Sequence, residues 1–123
     1  MNSEKQIAQN FLKLIGEGNI KEAFKNFVAE DFKHHNPFFK GDAQSLMNAM
    51  IEDAQNNPEK ELKILRSLAD EELVVVHAHV KQNPIDSGFA LVHIFKFQAQ
   101  KIVELWDLGQ EIPDEIINEN GML

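Results

Sequence analysis

Five histidines carry most of the chemical potential of this 123-residue chain. His34 and His35 are adjacent and lead directly into Asn36-Pro37, while His77, His79 and His93 fall in stretches that read as strands. An imidazole titrates closest to neutrality of any side chain, so it suits proton transfer and metal ligation alike. His77 and His79 are two residues apart and would project from one face of a strand. An antiparallel register with an even index sum would set His93 on that same face, with Phe89, Phe95 and Phe97 beside it. Three readings of this constellation stand open. An apolar pocket with a few imidazoles could do acid–base work on a small organic substrate, with Trp106 and the phenylalanines as its walls. A His-x-His pair with a third histidine across from it could hold zinc or another divalent ion, although no carboxylate is clearly placed to complete the shell. Histidines hydrogen-bonded within an apolar sheet, or lying at a subunit seam, would do no chemistry at all.

The corner His35-Asn36-Pro37 is a separate signal. Proline confines the residue before it to an extended conformation, so His35 is held in a defined direction. The plainer alternative is a turn with His35 as its solvated flank. On the last strand Ile102, Glu104, Trp106, Leu108 and Gln110 form one expected face, and Val103, Leu105 and Asp107 the other. Asp107 therefore reads as secondary to the histidines. There is no glycine-rich phosphate loop and no serine in a nucleophile elbow. The chain has no cysteine, which excludes a disulfide framework, a thiolate nucleophile and any cysteine-ligated metal.

The elements that must position these residues divide by period. Helical spacing dominates the first half and strand alternation the second. Ser3 is an expected N-cap with Gln6 as its capping-box partner, ahead of Ile7, Phe11, Leu14 and Ile15; Gly16 and Gly18 close that helix. Asn19 is expected to cap a second helix carrying Ala23, Phe24, Phe27 and Val28. An irregular stretch follows from Asp31 to Gly41, and Asp42 caps a third helix with Leu46, Met47, Met50 and Ile51. Four strands are expected after Glu61: one to about Leu68, then Leu73 to Gln82, Phe89 to Gln98 and Lys101 to Gln110. Helices first and antiparallel strands afterwards imply an α+β fold with the helices on one sheet face, in one domain spanning 1–123. The strands are apolar on both faces, so the second face is expected to meet the C-terminal tail, a second copy of the chain, or both.

Formal net charge is −8 and the pI is near 5.0. An acidic surface repels phosphate backbones and anionic lipid, so neither nucleic acid nor a membrane is expected as a partner. The start, Met1 to Gln6, lacks the basic and apolar regions of a signal peptide, and runs such as Leu73 to Val76 are too short to span a bilayer. A cytoplasmic location is expected.

Three segments together resemble a known family. Phe32-Lys33-His34-His35-Asn36-Pro37 with Gly41, Leu73-Val74-Val75-Val76-His77, and the stretch from His93-Ile94-Phe95-Lys96-Phe97 through Lys101 to Gln110 are similar to the SnoaL-like branch of the nuclear transport factor 2-like superfamily. The terminal Asn118 to Leu123 resembles a tail of one bacterial subgroup. The resemblance implies a cystatin-like α+β cone: three helices on a curved, mainly antiparallel sheet, a deep pocket, and a homodimer through the sheet face. It implies acid–base chemistry of polyketide cyclase or isomerase type on a small apolar carbonyl compound, without metal or cofactor. The position of His93 is often aspartate in these relatives. On that basis His93 is expected as the acid–base group and His35 as its catalytic companion. His79, His77, Trp106, Phe95 and Asn36 are expected to bind the substrate. The alternative is a small-molecule-binding domain without turnover.

Overall fold

The computed structural model describes residues 3–123. Three helices, α1 (Glu4–Gly16), α2 (Ile20–Phe27) and α3 (Ala43–Asn56), accompany five strands: β1 (Val28–His34), β2 (Glu61–Asp70), β3 (Leu73–Lys81), β4 (Phe89–Gln98) and β5 (Lys101–Glu111). The strands form one sheet in the order β1-β5-β4-β3-β2. β1 runs parallel to β5 and every other pair is antiparallel. The fold is the expected α+β arrangement with helices over one face.

Local chemistry explains the helix boundaries. Ser3 and Gln6 make the reciprocal capping box, and Asp42 accepts from the Ser45 N–H at 2.9 Å to start α3. Asn19 makes no side-chain cap bond, contrary to expectation; α2 starts instead with a backbone bond from the Ala23 N–H to the Asn19 carbonyl. The stretch expected to be irregular begins inside a strand, since Val28 leaves the helix and opens β1. This strand buries only Phe32 and His34 while Glu30, Asp31 and Lys33 lie exposed. Its hydrophobic alternation is too sparse to register in sequence, as is common at a sheet edge.

Register decides which side chains meet. β3 pairs with β4 as Val76↔His93 and His77↔Val92, an odd index sum. His93 therefore shares the helix-covered inner face with Val74, Val76 and Ala78, while His77 and His79 lie on the outer face. The expected convergence of the three strand histidines does not occur. The cause is the connection from Lys81 to Gly88, which contains an even number of residues between the last pair, Val80↔Phe89. Gly88 makes that connection possible: its φ is +84°, and a Cβ there would lie 2.1 Å from the Val80 carbonyl oxygen.

Two bulges redirect the neighbouring strands. In β2 the pairs shift from Ile64↔Ala78 to Arg66↔His77, leaving Leu65 as the extra residue. In β5 they shift from Phe97↔Ile102 to Lys96↔Glu104, leaving Val103 unpaired. Ile102 is therefore buried on the inner face with Leu105 and Asp107, and not on the face of Trp106 as its alternation suggests. Phe11 anchors the core under the helices, with ring centroids 5.6 Å from Phe24 and 5.9 Å from Phe95. The outer face has no helix over it. Leu68 and Leu108 are 70% and 62% exposed there, beside partly buried Ile94 and Trp106. No helix among the described residues is long and apolar enough to cross a membrane.

Candidate functional site

Strands β1, β5 and β4 lie side by side, and each delivers one polar side chain to the inner face: His34, Asp107 and His93. His93 and Asp107 are directly opposed across the β4–β5 ladder. Residues so paired hold their Cβ atoms about 5 Å apart. His93 is 7% exposed, and its Nδ1 is buried with no hydrogen-bond partner among the described residues. Its ring lies 6.0 Å from that of Phe95 and nearly parallel to it. Burial dominates its titration and lowers its pKa from 6.5 to about 4; the negative charge of Asp107 opposes that shift, and the positive charge of Lys60 adds to it. The imidazole is thus neutral at pH 7.

The corner after β1 holds Asp107 in place. Asn36 Nδ2 donates to Asp107 Oδ2 at 3.1 Å, and Asn36 Oδ1 accepts from the Phe38 N–H at 3.0 Å. With both ends of its amide engaged, Asn36 has one orientation. Its own backbone N–H donates to His34 Nδ1 at 3.1 Å. His34 Nδ1 is therefore an acceptor, so the proton sits on Nε2, which donates to the Lys40 carbonyl oxygen at 2.5 Å. His34 is a neutral brace that ties both ends of the corner together.

The residues expected to form one site divide between the two faces. His93, Asn36 and Phe95 lie on the inner side, although Phe95 is fully buried core and no pocket wall. His35 and Trp106 lie on the outer side, stacked with centroids 5.0 Å apart and planes 5° from parallel. His35 Nε2 also meets Glu104 Oε2 at 2.6 Å. That bond, with help from Lys33 and Lys96, holds the Glu104 carboxyl below the usual range. His79 Nε2 donates to the Ser87 carbonyl at 2.9 Å, and His77 Nδ1 meets Arg66 Nη1. With His93 on the other face, the three-histidine metal set does not form. Among the described residues no three His, Cys, Asp or Glu side chains converge to hold a metal.

Sequence reasoning missed Asp107. A tight turn at Ala99-Gln100 with regular pairing from Gln98↔Lys101 would set Trp106 opposite His93; the bulge at Val103 substitutes Asp107. The carboxylate expected in place of His93 thus stands beside it, on the next strand. The clefts lie elsewhere. One of about 610 Å³ runs between α1 and β2, and an apolar one of about 320 Å³ on the outer side is bounded by His35, Leu73, Ile94, Trp106, Asp107 and Leu108.

Comparison with known proteins bears on the fold and the family. A family model described as a SnoaL-like domain matches residues 8–105. No curated protein matches the chain significantly by sequence. Among solved structures, a nuclear transport factor 2-like protein of unknown function from Cytophaga hutchinsonii superposes with a TM-score of 0.74 at 14% identity, covering 89% of this chain and 92% of that one. A candidate polyketide cyclase from Sinorhizobium meliloti gives 0.68 at 16% identity, over 84% and 94% of the two chains. A candidate isomerase of the SnoaL-like family from Agrobacterium tumefaciens gives 0.70 at 12% identity, over 85% and 95%. At such identities the likeness concerns the fold alone.

Proposed function

Because the chain belongs to the SnoaL-like domain family, matched over residues 8–105, we propose that it is a cofactor-independent acid–base enzyme of cyclase or isomerase type. Its substrate is a small, largely apolar carbonyl compound. The observation that carries this reading is the opposition of His93 and Asp107, one buried and neutral, the other oriented by Asn36.

The two groups divide the work by charge. An imidazole that resists protonation down to about pH 4 is a weak base but a sound neutral N–H donor. His93 therefore donates to the substrate carbonyl oxygen and stabilises the negative charge that develops there. Asp107 takes the proton from the carbon next to the carbonyl. The resulting enolate either attacks a second carbonyl, forming a carbon–carbon bond, or is reprotonated at another carbon. The proton on Asp107 returns to the new alkoxide or to that carbon, so atoms balance without a co-reactant. His35, His77, His79 and Trp106 lie on the opposite face and take no part. With no cysteine to oxidise or protect, a cytoplasmic setting fits this reading.

Proton exchange tests it. Deuterium uptake from D2O at the carbon next to the carbonyl, followed by NMR across a panel of small aryl and alkyl ketones, should be accelerated by the protein. Asp107→Asn and His93→Ala should each slow it by about 100-fold or more, with the circular dichroism spectrum unchanged. Undiminished exchange in both variants would remove the pair from the mechanism.

A second reading, binding without turnover, draws support from the apolar cleft around His35 and Trp106. Under it, a bound molecule is recovered chemically intact. The same outer face, with Leu68 and Leu108 uncovered, supports a homodimer packed sheet to sheet.

A further inference from the structure

His35 is fixed on three sides although its side chain is 46% exposed. Its backbone N–H donates to the Leu105 carbonyl oxygen at 3.1 Å, its Nε2 meets Glu104 Oε2 at 2.6 Å, and its ring lies flat on Trp106. Immobilising an exposed side chain costs rotamer freedom and leaves the ring preorganised for whatever meets it. Glu104 settles which nitrogen is left to act. Its carboxyl lies below the usual range, first because of the bond to His35, so it is ionised and can only accept. The His35 proton therefore sits on Nε2, and in the neutral ring Nδ1 keeps its lone pair. Nδ1 has no hydrogen-bond partner among the described residues.

The same ring bounds the outer cleft of about 320 Å³, whose apolar walls are Leu73, Ile94, Trp106 and Leu108. That volume is at the small end for ligand pockets and suits a single ring. Asp107 completes the rim, and its carboxylate accepts from Asn36. A carboxylate there disfavours an anionic ligand, and an unpaired imidazole acceptor calls for a donor. We propose that this cleft binds a small neutral phenol. The phenol O–H donates to His35 Nδ1, and the ring packs against Trp106, Ile94, Leu73 and Leu108. A phenol O–H is a stronger donor than that of an alcohol, and the Glu104 carboxylate behind the imidazole makes Nδ1 a stronger acceptor. This inference rests on the second reading above, binding in the outer cleft, and names its ligand class. Proton transfer at His93 and Asp107 is a separate matter on the other face of the sheet.

Trp106 is the chain's single tryptophan, so its indole N–H gives one NMR resonance in isotope-labelled protein and reports on the cleft directly. Titration with 4-ethylphenol, 4-ethylanisole and ethylbenzene should move that resonance, the phenol binding about three- to tenfold more tightly than the other two. His35→Phe keeps a ring beside Trp106 but no acceptor, and Glu104→Met releases the tautomer. Each should bring the three affinities to within about twofold of one another. Either variant suffices if the other fails to fold. Equal affinities in the native protein, or a phenol preference that survives in the variants, overturn the phenol assignment and leave the cleft reading intact. A resonance that none of the probes moves overturns both readings. So does one that moves with protein concentration alone, which marks a second copy on this face.

Discussion

Replacing His93 with glutamine should flatten part of the pH dependence of stability. Its pKa falls from 6.5 to about 4 on folding, chiefly because burial disfavours the imidazolium. That difference corresponds to about 3 kcal/mol at full protonation of the unfolded chain. The sign follows from proton counting. Between pH 6.5 and 4 the unfolded chain binds a proton at this histidine and the folded chain does not. Stability therefore falls as pH drops through that window and levels off below it. At pH 5.5 the accumulated loss is about 1 to 2 kcal/mol relative to pH 7.5. Urea unfolding of the native protein and of His93→Gln at those two pH values isolates the contribution, since the other titrating groups are common to both. The loss on acidification should be smaller in the variant by that amount. Titration of the His93 ring by NMR gives an independent check. Asp107→Asn should lower its midpoint further, because the aspartate charge opposes the shift, and Lys60→Met should raise it. An equal pH dependence in the two proteins, or a ring midpoint at 6.5 or above, would refute the reasoning.

Three further outcomes are expected. Asn36→Ala removes the bonds to Asp107 and the Phe38 N–H; proton exchange on ketones should slow by at least about tenfold, while the urea midpoint falls by no more than about 1 to 2 kcal/mol equivalent. Gly88→Ala forces a Cβ to within 2.1 Å of the Val80 carbonyl oxygen at φ +84°; the β3–β4 connection must deform, costing about 3 kcal/mol or more in chemical denaturation. Leu108→Lys, at an exposed outer-face position, should yield monomers in sedimentation equilibrium where the native chain gives dimers; identical masses would argue against sheet-to-sheet pairing.

The helices were legible because capping and apolar spacing are local. Ser3 with Gln6, and Asp42 with Ser45, announce their helix starts within four residues. The four later strands were legible from apolar residues recurring at strand spacing: leucine and isoleucine in β2, valine in β3, phenylalanine in β4, and Ile102, Val103, Leu105 and Trp106 in β5. β1 was not, since Glu30, Asp31 and Lys33 dilute the only two side chains it buries. Site assembly was harder because it depends on parity. His93, Asn36 and Trp106 are conspicuous residues, yet whether they meet depends on the number of residues between Val80 and Phe89 and on one unpaired residue at Val103. Neither leaves a compositional mark. The bond from Asn36 to Asp107 crosses 71 positions in sequence, so no local pattern reveals it.

The direct opposition of His93 and Asp107 gives this site a mode of variation that point substitution lacks. Losing Val103 would remove only the bulge and leave Asp107 opposite His93, but gaining one residue between Glu104 and Trp106 would turn the rest of β5 over. Trp106 would then face His93, Asp107 would pass to the outer face, and the bond from Asn36 would have nothing to reach. No side chain of the site would have been altered. In lineages that gain and lose single codons in this strand, the interior could pass from carboxylate-bearing to aromatic in one step. The outer surface would change in the opposite sense at the same moment. Descent along such a route would show as abrupt exchange of chemistry between relatives of the same shape, with length at the β4–β5 hairpin as its only trace.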